Sequence, residues 1–352
     1  MGILNKYLLF MILKKTIFSL TALVLIFSFF KFLDELTHIN QTDYEMSDVI
    51  AHTIFLIPTI SNSLLTISFL LGTTFALGTL NSNKEIQIFL TGGISYTTLI
   101  SKAIKFNLLL VVIFQIFLET FSPLSYQIAQ SIKNEKMGMS SSTEAINFWT
   151  KRDSQFIFFD ILTNNKVSLF EVDSNNLINI TEGYNPIFKD KTLTIKNLTI
   201  KKINQDKKFA IINEIPSQNS IEIPLSENDL LILRKDYQEM SVVELIKALA
   251  ISLHNSIESK NYFHELISRI IKPINLLGMI LIAIPFILKL DRTISIGRML
   301  FVSISIGILS NLITKVLTMT SNYFDNLSEL LVFVPSLMLI LLGVFLSRKN
   351  LS

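Results

Sequence analysis

The chain has 352 residues, half of them apolar, with 27 phenylalanines and a positive mean hydropathy, a composition that belongs to membrane proteins before soluble domains. Its net charge of +3, with no stripe of Lys and Arg, argues against a nucleic-acid partner. The absence of cysteine excludes disulfides, thiolate metal sites and cysteine nucleophiles.

A helix needs roughly 20 apolar residues to cross the hydrocarbon core, and six stretches are read as spans: 16–33, 53–80, 104–121, 270–288, 294–317 and 330–346. The first follows Lys14 and Lys15 like a signal peptide, but "FSFFKFLDEL" offers no small-residue cleavage site, so an uncleaved anchor is expected. Lys and Arg near the span ends set orientation. One side holds Lys6, Lys14, Lys15, Lys84, Lys102, Lys105, Lys289, Arg292, Arg298, Arg348 and Lys349. The short connections opposite hold Lys31 and Lys315 among acids such as Asp34, Glu35, Asp43 and Asp325. Both termini are therefore expected in the cytoplasm.

Between the second and third spans lies "NSNKEIQIFLTGG", residues 81–93. It reads as a short helix: Asn81 or Ser82 as its N-cap, Glu85 at the positive end of the dipole, Gly92 or Gly93 as terminator. Ile86, Phe89 and Leu90 fall on one face at helical spacing. Such a face fits either a hydrophobic groove on a partner or the lipid interface.

Residues 134–240 change character. "QFIFFDIL", "KVSLFEVD", "NLINIT", "KTLTIKNLTIKK", "KFAIINEI" and "NSIEIPL" are short, rich in β-branched and aromatic residues, and punctuated by "TNNK", "DSNN" and "EGYNP". They predict a string of strands in a sandwich or jellyroll, exported by the charge rule. The layout is thus 1–133 with three spans, 134–240 as the β domain, and 241–352 with three more. An open sheet edge could take a partner strand, or be blunted in a plain cap.

No catalytic constellation stands out. No glycine is followed by lysine, so there is no P-loop; there is no H-E-x-x-H, and the four histidines are scattered. No G-x-S-x-G elbow occurs. No enzyme and no metal site are expected. What remains are charges at membrane depth: Lys31 closing the first span, Glu119 four residues before Pro123, Arg269 and Lys272 opening the fourth span, and Lys315 near the outer end of the fifth. Glu265 stands four residues before Arg269, a spacing that allows a helical ion pair. Charges in spans are costly and often functional. Lys31 and Arg269 fall at headgroup level, where an anionic lipid phosphate or simple snorkelling would suit them. Glu119 calls for an internal partner.

Together, "NKYLLFMILKKTIF", "FFKFLDEL", "LNSNKEIQIFLTGGIS", "ETFSPLSYQIAQSIK" and "NYFHELISRIIKPINLLGMILIAIPFIL" resemble the LptF/LptG permease family, the membrane subunits of the lipopolysaccharide exporter, over nearly the whole chain. "KFLDEL" and the following "DYEMSD" are most similar to the LptG branch. The resemblance implies an α-helical membrane protein with six transmembrane helices (3+3) flanking a periplasmic β-jellyroll, in the bacterial inner membrane. It implies a coupling helix at 81–93, with Lys84, Glu85, Ile86, Phe89 and Leu90 against a separate ATPase, Glu85 facing a basic group there. It implies lipid contact for Lys31, Lys133 and Arg269. Gln130 departs from a position often basic in relatives, which weakens a phosphate clamp of several residues. Glu119 and Pro123 match the family's third span, and Arg269 and Pro273 the start of its fourth; Glu119 and Lys315 stay without an assigned role.

The implied partners are an LptF-like paralogue, an LptB-like ATPase dimer that binds ATP and Mg, LptC-like and LptA-like bridge proteins, and lipopolysaccharide; the chain itself would carry no cofactor. Two other classes compete. One is a membrane adaptor or sensor with an exported ligand-binding β domain; the other is an ABC subunit that transmits force and moves no lipid, a type that usually has four spans.

Overall fold

The computed structural model describes residues 2–39, 43–137, 240–254, 259–288, 296–321 and 328–351, the backbone of seven strands between 148 and 222, and positions 229, 232, 233, 235 and 237. Lys289, Arg292 and Asp325, used above to set orientation, lie outside the described residues. Two compact units result: Met1–Gln130 with Leu266–Ser352, and Ser131–Glu265.

The first unit is helical because hydrocarbon leaves a backbone no other way to satisfy its polar groups. Helix α1 (Ile3–Leu36) contains neither glycine nor proline. Helix α2 (Met46–Ser82) opens on a reciprocal cap between Glu45 and Asp48, with the Glu45 N–H donating to Asp48 Oδ2 at 3.0 Å. Then come α3 (Glu85–Thr91) and α4 (Tyr96–Lys136). After the β insert follow α5 (Val242–His254), α6 (Lys260–Leu288), α7 (Ile296–Ser321) and α8 (Ser328–Leu351). The six apolar stretches fall on α1, α2, α4, α6, α7 and α8. Among the described residues, α1, α2, α4 and α7 are each long and apolar enough to cross a membrane, and α6 makes a fifth if its two segments, bent by 49°, count as one span. The apolar part of α8, Phe333–Leu346, is shorter.

Helix α2 is the hub of this unit. Leu65, Phe69, Leu70, Leu77 and Leu80 are buried in one cluster with Leu8 and Ile12 of α1, Leu99 and Leu110 of α4, and Ile280 and Ile284 of α6. Apolar contact discriminates little among helices already surrounded by lipid tails, so close packing and polar pairs decide who sits beside whom. Gly72 meets α1 so closely that a Cβ there would lie 2.4 Å from the Thr16 Cα. Thr73 Oγ1 donates to Asn107 Oδ1 of α4 at 2.6 Å, and the Thr74 and Ser303 hydroxyls, α2 to α7, stand 2.7 Å apart. Ser336 of α8 donates to Asn275 of α6 at 2.6 Å.

The second unit carries β1 (Phe148–Arg152), β2 (Gln155–Asp160), β3 (Lys166–Asp173), β4 (Asn176–Lys189), β5 (Thr192–Asn204), β6 (Phe209–Ile215) and β7 (Asn219–Glu222). Every pairing is antiparallel, in the order β1-β2-β3-β4-β5-β6. Strand β7 also pairs with β5, through Thr192–Ile195, so β6 and β7 follow each other along one edge of β5. This is a meander, with none of a Greek key's crossovers among the described strands. Two sequence expectations change. "EGYNP" is no turn: β4 runs through it, its register slipping at Gly183/Tyr184 and Tyr184/Ile187. And β1, which lacks clear alternation, is an added edge strand.

The unit also holds α5, beyond the expected boundary at 240. Its start is a second reciprocal cap: the Ser241 N–H donates to Glu244 Oε2 at 2.8 Å, and the Glu244 N–H to Ser241 Oγ at 3.3 Å. Burial pulls the Glu244 carboxyl upward, but the Lys235 ammonium and the Ser241 N–H outweigh it and hold the group below its ordinary value.

Candidate functional site: a short inner helix and a buried charge cluster

The chain leaves α2 for α3 through Lys84, at φ 63° the one residue other than glycine in the left-handed region among those described. For a side chain with a Cβ that region is disfavoured by roughly 1–2 kcal/mol, and here it permits a sharp reversal. Helix α3 ends at Gly92, and Gly93, at φ 85°, turns the chain into α4. The expected caps are reassigned. Asn81 and Ser82 belong to the last turn of α2, and Asn81 Nδ2 donates to the Ile287 carbonyl near the end of α6 at 3.0 Å, where helix carbonyls lack internal partners.

The apolar face of α3 also turns the other way. Ile86, 1% exposed, lies in the core cluster, and Phe89 and Leu90 pack against it. Ile86 therefore seats the helix on its own chain, while Phe89 and Leu90, half-buried, pack against the same cluster and keep part of their surface open. The exposed positions are Lys84, Gln87, Ile88 and Thr91, with Glu85 half-buried; Ile88 is 66% exposed. The sequence could not separate the faces, because a seven-residue helix with apolar side chains at 86, 88, 89 and 90 is greasy almost all round. Glu85 itself is held: Tyr7 Oη of α1 donates to its Oε2 at 2.8 Å and Asn83 Nδ2 to its Oε1 at 3.1 Å.

Three of the membrane-depth charges gather at one place. Glu119 of α4 accepts from Arg269 Nη1 of α6 at 3.0 Å and from Asn62 Nδ2 of α2 at 3.0 Å. Lys272 Nζ stands 3.6 Å from Glu119 Oε1 and donates to Asn62 Oδ1 at 2.9 Å. Glu119 thus finds the internal partner it called for. Arg269, 6% exposed, holds its guanidinium against Glu119. Asn62 was not singled out from sequence, since a lone amide in an apolar run signals nothing about its partner.

The same cluster sits on the bend of α6. Pro273 has no N–H to give the carbonyl four residues earlier, that of Arg269, and Gln115 Nε2 of α4 donates to that carbonyl instead. The two cations thus flank a helix break and reach the same carboxylate.

The remaining residues have other settings. Lys31 is about half exposed and 3.4 Å from Asp34 Oδ2, so it remains open to an anion. Lys133 occupies the last turn of α4, where a cation suits the negative end of the helix dipole. Lys315 is exposed on α7. Among the described residues no group of His, Asp and Glu is arranged to hold a metal ion.

Comparison with known proteins gives a consistent picture. The family model for the lipopolysaccharide export system permease LptF/LptG matches residues 6–349. The lipopolysaccharide export system permease protein LptG of Haemophilus influenzae is 22% identical over 356 residues, covering 99% of each chain. The LptG of Escherichia coli K12 is 19% identical over 316 residues, covering 87% of each.

Proposed function

We propose, for a chain that belongs to the lipopolysaccharide export permease family LptF/LptG, that it is the LptG-like half of a heterodimeric ABC transporter of the bacterial inner membrane. Its paralogous partner is LptF-like, and an LptB-like ATPase pair supplies ATP and Mg chemistry from the cytoplasm. Lipopolysaccharide enters from the outer leaflet. It leaves over the β unit toward LptC-like and LptA-like bridge proteins. The β meander is then the family's jellyroll, an idea supported by register shifts at Glu171/Val172 and Gly183/Tyr184 of the kind that bend strands. Both termini are cytoplasmic.

The observation that carries this reading is α3. A seven-residue helix anchored by Ile86 in the core, with Glu85 and Ile88 at its surface, is a rigid knob rather than a loose loop, as docking into a partner's groove requires. In this assignment Glu85 meets a basic group of the ATPase and Ile88 fills the groove, the place first given to Ile86, Phe89 and Leu90. Lys84 contributes the turn. Lys31 is the lipid-facing cation, since it combines exposure with a single weak acid neighbour.

Native mass spectrometry of the complex purified gently from its host is the test. One paralogue, two ATPase subunits and a bound species of lipopolysaccharide mass are expected. Glu85→Lys should shed the ATPase and leave the lipid. A bare homodimer without ATPase, even after crosslinking, would overturn the reading.

A further inference from the structure

Tyr7 was not singled out by any pattern in the sequence, yet among the described residues it ties α1 to the acid of α3. Its Oη donates to Glu85 Oε2 at 2.8 Å, across 78 residues of sequence. The ring does not owe its place to burial, being 43% exposed. The residues around it do: Leu8 and Ile12, 1% and 0% exposed, share a core cluster with Ile86 and Leu99. The inner end of α1 and α3 thus share one core, and Tyr7 reaches the carboxylate from a fixed base.

A carboxylate has about four lone-pair sites. Two are used here, one on each oxygen, by Tyr7 and by Asn83. The rest stay available, so a guanidinium or ammonium could bind Glu85 without displacing the phenol. The neutral donors fix which way the carboxylate points and leave its charge uncancelled. That is what an acid waiting for a cation from outside the chain requires.

We infer that Tyr7 is the positioning residue for Glu85, holding its carboxylate in the orientation that receives a basic group of the docking partner, and that the same hydrogen bond transmits displacement of α3 to the inner end of α1. The inference rests on the reading of α3 as the docking helix. It adds a second consequence of docking. A push on α3 acts on α1 at Tyr7 as well as on α2 and α4 through the chain, so the first span moves with the docking helix.

The experiment is a double-mutant cycle on the full transporter, co-expressed with its paralogue and the LptB-like ATPase of the same host and held in nanodiscs. ATPase-subunit affinity is measured for wild type, Tyr7→Phe, Glu85→Gln and the double variant, with Glu85→Lys as reference. Melting temperature is recorded in parallel. Hydrogen bonds to a charged group contribute enough that Tyr7→Phe should weaken ATPase binding about fivefold, with the phenyl ring keeping the packing. The double variant should bind no worse than Glu85→Gln alone, within about twofold, because Tyr7 acts only through that carboxylate. A merely structural tyrosine would lower the melting temperature and give effects that multiply. Multiplying effects, or Tyr7→Phe affinity within twofold of wild type while Glu85→Lys abolishes binding, would overturn the inference and spare the docking reading. Normal ATPase binding by Glu85→Lys would remove both. Should Tyr7→Phe fail to assemble, Tyr7→Met, which also lacks the hydroxyl and fills the ring's place with a flexible apolar chain, replaces it in the cycle with the same expected loss.

Discussion

Glu119 is a carboxylate placed where hydrocarbon would otherwise surround it, and its surroundings decide what its loss would cost. Arg269 Nη1 and Asn62 Nδ2 both donate to it at 3.0 Å, and the arginine and glutamate side chains of the pair are 7% and 10% exposed. Removing one member of such a pair leaves the other charge buried beside a neutral group, at a cost of roughly 3–5 kcal/mol, whereas replacing both members by apolar residues is often close to neutral. Glu119→Gln should therefore lower the melting temperature in detergent sharply, although the amide keeps nearly the same shape. Glu119→Gln with Arg269→Met should recover part of that loss. If the double variant melts below the single one, the pair is not the source of the effect. The sequence displayed these charges plainly, because acids and bases are rare in apolar runs. It could not pair them, because Asn62, Glu119 and Arg269 stand on three different helices and helical spacing relates residues only within one.

At the scale of the element, α6 is the helix whose shape most needs explaining. Two prolines, Pro273 and Pro285, lie inside it, but the 49° bend comes at residues 270–272, where Pro273 removes the bond to the Arg269 carbonyl. A carbonyl left bare in an apolar setting costs several kcal/mol, so Gln115 from α4 supplies the missing donor. Gln115→Leu should destabilise the bent form, and Pro273→Ala, by restoring the N–H, should make Gln115 dispensable. The check is hydrogen–deuterium exchange of the α6 amides: faster around 270–274 in Gln115→Leu, and near wild type when both changes are present. Unchanged exchange in Gln115→Leu would mean that the bend is set by packing alone. Most helices were legible from apolar runs of the right length. The capping Glu45 and Asp48, the continuation of β4 through "EGYNP" and the inward seat of Ile86 were not. Each depends on which neighbour the segment meets, and propensity or period describes only the segment itself. Helix α5 went unnoticed because 13 residues are too few for a span and too apolar to stand out beside one.

For the whole molecule, the proposed arrangement across the membrane rests on charge placement, and the lack of any cysteine makes it directly measurable. Lys and Arg near span ends gather on the side of residues 84, 102 and 105, while the α1–α2 connection carries Asp34, Asp43 and Glu45. Short cytoplasmic loops retain positive charge because each Lys or Arg resists transfer across the bilayer. The structure supplies exposed positions for both sides: Gln87 on α3, and Asp43 in the connection ahead of α2. With Gln87→Cys as the sole thiol, a membrane-impermeant maleimide should react only after spheroplasts are broken open. With Asp43→Cys it should react with intact spheroplasts. Labelling of Gln87→Cys from outside would invert the chain, placing α3 and Glu85 where no nucleotide-binding partner can reach them. The orientation, the docking helix and the direction of lipid export therefore stand or fall on the same pair of labelling reactions.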